Sequence, residues 1–169
     1  MKDTCTFKGK YRFEGFDLTG LDVDLTQIDV NTIADRKVSD DTFHNLLTQG
    51  YFTAIMKFLN QAIDSPNVDD LNINYIATGT GTTTPTKADT KLVTEVFRKA
   101  PASKTKTATV FTCKLSLAAG ESNYTITEIG TFADGTASAD TGLMISRAIV
   151  NIAKNSNISY LVTYTITMN

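Results

Sequence analysis

The sequence predicts an α+β protein: an antiparallel β-sandwich-like body with one long amphipathic helix and an extended N-terminal arm. Three patterns lead there. Residues 158–168 alternate apolar and polar side chains, residues 43–63 repeat apolar side chains at helical spacing, and residues 1–38 hold only short runs divided by glycine. Threonine supplies 28 of the 169 residues, and its β-branch and hydroxyl suit a strand with one solvated face.

In chain order, residues 1–38 contain Tyr11, Phe13 and then Leu21, Val23, Leu25, with Gly9, Gly15 and Gly20 shortening each run. This reads as an arm with one or two short strands. It cannot bury much surface alone, so it is expected to lie on the rest of the chain or on a neighbour. The body, 39–169, begins with a helix from Ser39 or Asp40 as N-cap to Ser65–Pro66, its apolar face built from Phe43, Leu46, Leu47, Tyr51, Ala54, Ile55, Phe58, Leu59, Ala62 and Ile63.

Strands are expected at 71–77, 94–99, 104–117, 124–132, 143–151 and 158–168. Gly130 marks a bulge where Ile126 and Ile129 fall three apart. Thr78–Pro85 holds no apolar side chain for a core and reads as a surface loop, as does Ala133–Gly142. Residues 158–168 are the clearest strand, with Tyr160, Val162, Tyr164 and Ile166 opposite Thr163, Thr165 and Thr167.

Charge narrows the function. Sixteen Lys and Arg against eighteen Asp and Glu give a net charge of −2, which lacks the basic footprint of a general nucleic-acid binder. Twelve acidic and seven basic residues in 1–70, against six and nine in 71–169, suit head-to-tail contact between copies. No apolar stretch is long enough for a signal or a membrane span, so synthesis in a cytoplasm without export or embedding is expected.

Reactive chemistry is thinly represented. Cys5 and Cys113 have no CxxC spacing and read as reduced thiols. His44 is the sole imidazole and reads as a surface or boundary residue of the helix. The stretch GTGTTTPT lacks the Gly-Lys-Ser/Thr of a phosphate loop, since Lys87 follows Pro85 and Thr86. Asp22, Asp24 and Asp29, or Asp69 and Asp70, miss the spacing of a calcium loop and read as solvated acids. A glycosidase pair drawn from Glu95, Glu121 and Glu128 depends on spatial pairing that sequence does not reveal. Tyr160 and Tyr164 read as core rather than as a sugar platform. The expectation is a non-enzyme without catalytic residues, cofactor or metal.

Four segments carry a resemblance: Ile76–Lys99 with its GTGTTTP loop and the later Asp89, Thr90, Leu92, Glu95 and Arg98; Ile126–Gly135 with its ITEIGTF; Ser146-Arg147-Ala148; and Tyr164–Thr167. In this order they resemble structural proteins of tailed-bacteriophage tails, in the tail-fibre, collar and baseplate group, over roughly residues 43–168. The resemblance implies a non-enzymatic virion component present in several copies, assembled in the host bacterial cytoplasm. Collagen-like repeats, heptads and a large C-terminal receptor-binding region are missing, which favours a short connecting, collar or baseplate subunit over a long fibre.

The expected partners are copies of the chain and other virion structural proteins, with a host surface glycan as a further candidate and neither nucleic acid nor membrane. The expected subunit interface comprises Tyr11, Phe13 and Phe16 of the arm, Thr80, Gly81 and Thr82 of the loop, and Arg98 and Lys99, which would meet the acidic arm of a neighbour. A capsid decoration or head-fibre attachment protein is the alternative in the same class. A carbohydrate-binding module and, last, a cell-wall glycosidase are the alternatives from other classes.

Overall fold

A computed structural model describes residues 6–21, 23–59 and 72–169 of the chain. Its described elements are β1 (Phe7–Asp17), a 3-10 helix over Val30–Arg36, β2 (Lys37–Leu47), α1 (Gln49–Leu59), β3 (Ile73–Gly79), β4 (Glu95–Lys99), β5 (Ser103–Lys106), β6 (Val110–Leu117), β7 (Thr125–Ala133), β8 (Leu143–Ala153) and β9 (Ile158–Met168). The chain divides into two compact units. Unit 1 comprises residues 1–45, 101–124 and 154–169; unit 2 comprises 46–100 and 125–153.

Both units are antiparallel β-structure, which corrects the α+β expectation. Each holds one hydrogen-bonded ladder, with strand order β2-β1-β9-β6-β5 in unit 1 and β4-β3-β7-β8-β2 in unit 2, rather than a sandwich-like pair of sheets. The long helix is not formed, because residues 37–47 are strand and α1 starts only at Gln49. The expected stop at Ser65–Pro66 lies outside the described residues, as do Ala62, Ile63, Asp69 and Asp70.

The reason lies in β2, where Phe43, Asn45 and Leu47 occupy alternate positions of a strand paired with β1 from Lys37 to Asn45. Asn45, a polar residue at an inward position, hides the period of two. Leu46 and Leu47 pair instead with Arg147 and Ser146 of β8.

The extended arm is likewise corrected. β1 is an interior strand, hydrogen-bonded to β2 on one side and along its whole length to β9 on the other. Gly15 does not break it. A Cβ there would lie 2.8 Å from the Tyr160 ring and 2.6 Å from Ser39 Oγ, so the glycine admits the close approach of its neighbours.

Alternation sorts the side chains of unit 1. Tyr11 stacks at a tilt on Tyr164 with ring centroids 4.8 Å apart, and Phe13 meets Phe43 and Tyr160 edge-on. On the opposite face Phe16 joins Leu18, Leu25 and Leu161, with Val23, Ile28, Val30 and Ile33 of the 18–36 segment packed over them. Local caps hold that segment. Asp24 accepts from Thr26, and Asp29 accepts from the Asn31 amide and side chain.

Unit 2 packs Ala77, Leu92, Phe132 and Met144 with Tyr75 into its own cluster. The register of β7 against β8 slips between Ile126 and Glu128 and again between Thr131 and Phe132; Gly130, where the bulge was expected, pairs in register with Arg147. The expected 104–117 strand is two strands, β5 and β6, joined by a turn that Thr107 caps through the Val110 amide. Residues 86–89 form a single hydrogen-bonded turn, the Asp89 amide bonding the Thr86 carbonyl at 3.2 Å, and no helix. Among the described residues no helix is long and apolar enough to cross a membrane.

Candidate functional site

Among the described residues the largest fully buried side chain is a cation. Arg147 on β8 is 1 % exposed and Glu128 on β7 is 0 % exposed. Two such charges taken out of water require near-complete pairing and hydrogen bonding. The structure supplies it within unit 2.

Arg147 donates from Nε to Glu128 Oε2 at 3.0 Å, from Nη1 to Asp89 Oδ2 at 2.8 Å and from Nη2 to the Thr83 carbonyl at 3.0 Å. Glu128 in turn accepts from the backbone amides of Gly81 at 3.0 Å, Val93 at 3.1 Å and Thr94 at 2.7 Å. The carboxylate thus holds both ends of the 80–94 loop, and the guanidinium holds its middle. Thr127 Oγ1 adds a bond to the Gly81 carbonyl at 2.9 Å.

Gly81 is required by this arrangement. A Cβ at that position would lie 2.5 Å from Glu128 Oε1 and 2.6 Å from Val93 Cβ. Asp89 completes the loop by accepting from the Thr86 amide and hydroxyl at 3.0 and 2.6 Å. Burial alone would raise the Asp89 carboxyl, but the Thr86 and Arg147 hydrogen bonds outweigh it and hold the group below its ordinary value.

A second guanidinium is enclosed in the same unit. Arg98 donates to Glu95 from Nε at 2.5 Å and from Nη2 at 2.9 Å. Its Nη1 reaches the Thr136 carbonyl and Thr141, and its plane lies over Phe132 at 4.8 Å and Tyr75 at 5.5 Å. It pins the 134–141 loop to β4 as Arg147 pins the 80–94 loop to β7 and β8.

The expected interface residues fall into three settings. Tyr11, Phe13 and Phe16 are buried completely in the chain itself. Gly81 is buried against Glu128, while Thr80 and Thr82 on either side of it are exposed. Arg98 has a side chain only 4 % exposed and is committed to Glu95, and Lys99 on the same strand is half-buried.

The other candidates are equally placed. His44 is an exposed residue of β2 opposite Lys10, not a helical one. Cys113 is buried on β6, and burial pushes its thiol up to about 12. Cys5 and Asp22 lie outside the described residues. Glu121 accepts from the Ala118 amide within its own turn. Among the described residues no three His, Cys, Asp or Glu side chains are grouped to hold a metal.

Sequence reading singled out Gly81 and Arg98 but missed Arg147 as the centre of the site. The signal was the presence of Arg147, Glu128 and Asp89 in the same ordered segments. Their convergence is what that order encodes. The arrangement offers no open lone pair for proton transfer at Glu128; its chemistry is the fixing of a loop. Beside it, a hollow of about 170 Å³ lined by Gly50, Thr53, Asp89 and Met144 is smaller than the ~300 Å³ of usual ligand pockets.

Comparison of the chain with protein-family models, with curated proteins and with solved structures found no match.

Proposed function

We propose that the chain is a non-enzymatic structural component of a bacteriophage virion, a tail, collar, baseplate or fibre-attachment subunit that assembles with copies of itself and with other virion proteins. One observation carries this reading. The GTGTTTP loop, Asp89, the Glu128 of ITEIG and the Arg147 of SRA, which together made the phage resemblance, meet in a single buried network. Their ionisable groups are spent on shaping a surface loop, as a scaffold requires, and not on presenting a nucleophile or base to a solute.

The assembly edge in this reading is β4. Among the described residues it pairs only with β3, and Val93 and Val96 beside its open edge are 53 and 52 % exposed. Such an edge is a template for another strand. β5 is the other end strand, but it presents exposed Lys104 and Lys106, a pattern that discourages pairing. Thr80 extends the β3–β4 ladder on the paired side of β4, its amide bonding the Thr94 carbonyl at 3.0 Å.

The test is particle composition. Gradient-purified virions, probed by mass spectrometry and by antibody labelling in electron micrographs, contain the chain at the tail in stoichiometric amount. Its absence from purified particles overturns the proposal, and labelling on the capsid moves it to head decoration. Light scattering of the purified chain gives a multiple of its own mass that falls to a single copy in Val93→Lys/Val96→Lys.

A further inference from the structure

We infer that Lys154 and Asn123 join through an intramolecular isopeptide bond, formed between their own side chains without an added reactant. Both residues belong to unit 1. Lys154 is 4 % exposed and, among the described residues, is the one lysine so buried. A lysine withdrawn this far from water is ordinarily paired with a carboxylate. Here its Nζ instead donates to three neutral oxygens: Asn123 Oδ1 at 3.0 Å, the Ala119 carbonyl at 3.3 Å and the Asn155 carbonyl at 3.4 Å. Asn123 supplies the one side-chain amide among them.

The backbone holds the pair together. Thr125 faces Ala153 at the end of the β7–β8 ladder, and the Lys154 amide bonds the Tyr124 carbonyl at 3.3 Å. On the other side of Asn123, Ser122 is buried in the left-handed region at φ 53°, and its carbonyl accepts from the Tyr124 amide at 2.8 Å. Asn123 itself is exposed, so its amide nitrogen has a route to solvent while Lys154 is shielded. Burial also lowers the Lys154 ammonium from 10.5 to about 8, against the opposing charge of Glu121 two residues before Asn123. The nucleophilic free amine is therefore well populated in mildly basic solution.

The step balances within the two side chains. Neutral Nζ adds its lone pair to Asn123 Cγ, the Cγ–Nδ2 bond breaks, and one proton passes from Nζ to Nδ2, which leaves as ammonia. The product is a secondary amide between Nζ and Cγ, and nothing is oxidised or reduced. The Ala119 and Asn155 carbonyls aim the amine. A turn about the soft final torsion of Asn123 brings Cγ towards the near-attack separation of about 3–3.5 Å. The bond closes residues 123–154, with β7 and β8 between them, into a covalent ring. Until it forms, Lys154 titrates as a free amine. The chemistry depends on this turn alone and not on virion membership.

Intact-mass spectrometry of the full chain, held for days in mildly basic buffer, tests the inference. The wild-type mass falls by about 17 Da, one ammonia, and a digest contains a branched peptide joining residues 123 and 154. Conversion quickens as pH rises through about 8, where the amine loses its proton. Lys154→Arg and Asn123→Ala keep the full mass, and circular dichroism matching the wild type shows that both are folded. In guanidinium the wild type converts at least about a hundredfold more slowly, because proximity is lost. An unchanged wild-type mass overturns the inference, as does a branched peptide between another pair of residues or equal conversion in denaturant. Equal loss of ammonia in Lys154→Arg overturns it too, in favour of an asparagine cyclising onto its own backbone.

Discussion

Replacing Arg147 by Met isolates the contribution of the buried network. Methionine fills much of the same volume with an unbranched chain, so the change removes charge and hydrogen bonds with little change of packing. It takes from Glu128 its countercharge and from Asp89 and the Thr83 carbonyl a donor each. Glu128 keeps three backbone amides, but its carboxylate stays wholly buried. Breaking a buried pair from one side costs about 3–5 kcal/mol, and that is the loss expected here.

Glu128→Gln removes the charge that Arg147→Met leaves stranded. The double variant is therefore less damaged than the two single losses together, by about 1–3 kcal/mol. Guanidinium unfolding followed by circular dichroism gives the energies, and hydrogen exchange reads the amides of Gly81, Val93 and Thr94 directly. A loss below about 1 kcal/mol with these amides still protected refutes the account of Arg147 as the loop's anchor.

Gly81→Ala costs about 1–3 kcal/mol in urea unfolding, because its Cβ meets Glu128 and Val93, whereas Gly120→Ala, with nothing within 4 Å, stays within about 0.5 kcal/mol of wild type. Lys154, whose Nζ bonds Asn123 Oδ1 at 3.0 Å and the Ala119 carbonyl at 3.3 Å, is brought down by burial to about 8 from 10.5. Between those values the unfolded chain binds the extra proton, so stability rises with pH across the window by up to about 3 kcal/mol, and Lys154→Met removes that rise. In Cys5→Ser protein, Cys113 stays unlabelled by iodoacetamide at pH 8 until denaturant is added; rapid native labelling contradicts its burial.

The strands that sequence revealed are those whose exposed face is plainly polar. β9 spans Ile158–Met168 as its threonines and apolar residues predicted, and β3 and β4 lie within two residues of expectation. β2 was mistaken for helix because Leu46 and Leu47 add apolar residues at spacings of three and four from Phe43, while inward Asn45 breaks the alternation. β1 was mistaken for an arm because a glycine serving close approach looks, in one dimension, like a glycine serving a turn.

At the site, the order of the motif residues was legible but their meeting was not. Glu128 is bonded to amides 34 to 47 residues earlier in the chain. Backbone amides leave no mark on residue identity, so only Gly81 hinted at the contact. Arg98 had a visible charge but an invisible partner, Glu95, three residues away on the same strand with both side chains enclosed.

The pairing of β1 with β9 has a kinetic consequence. The first and last described strands are immediate neighbours, and Thr6 and Asn169 exchange two backbone hydrogen bonds of 2.9 Å. A nascent chain cannot complete this ladder until residue 168 has left the ribosome, and closing so long a loop is slow compared with making a local hairpin. Until then β6 and the buried aromatic rings of β1 are without their central neighbour, so synthesis rate and chaperone supply will govern how much of the protein is recovered in native form.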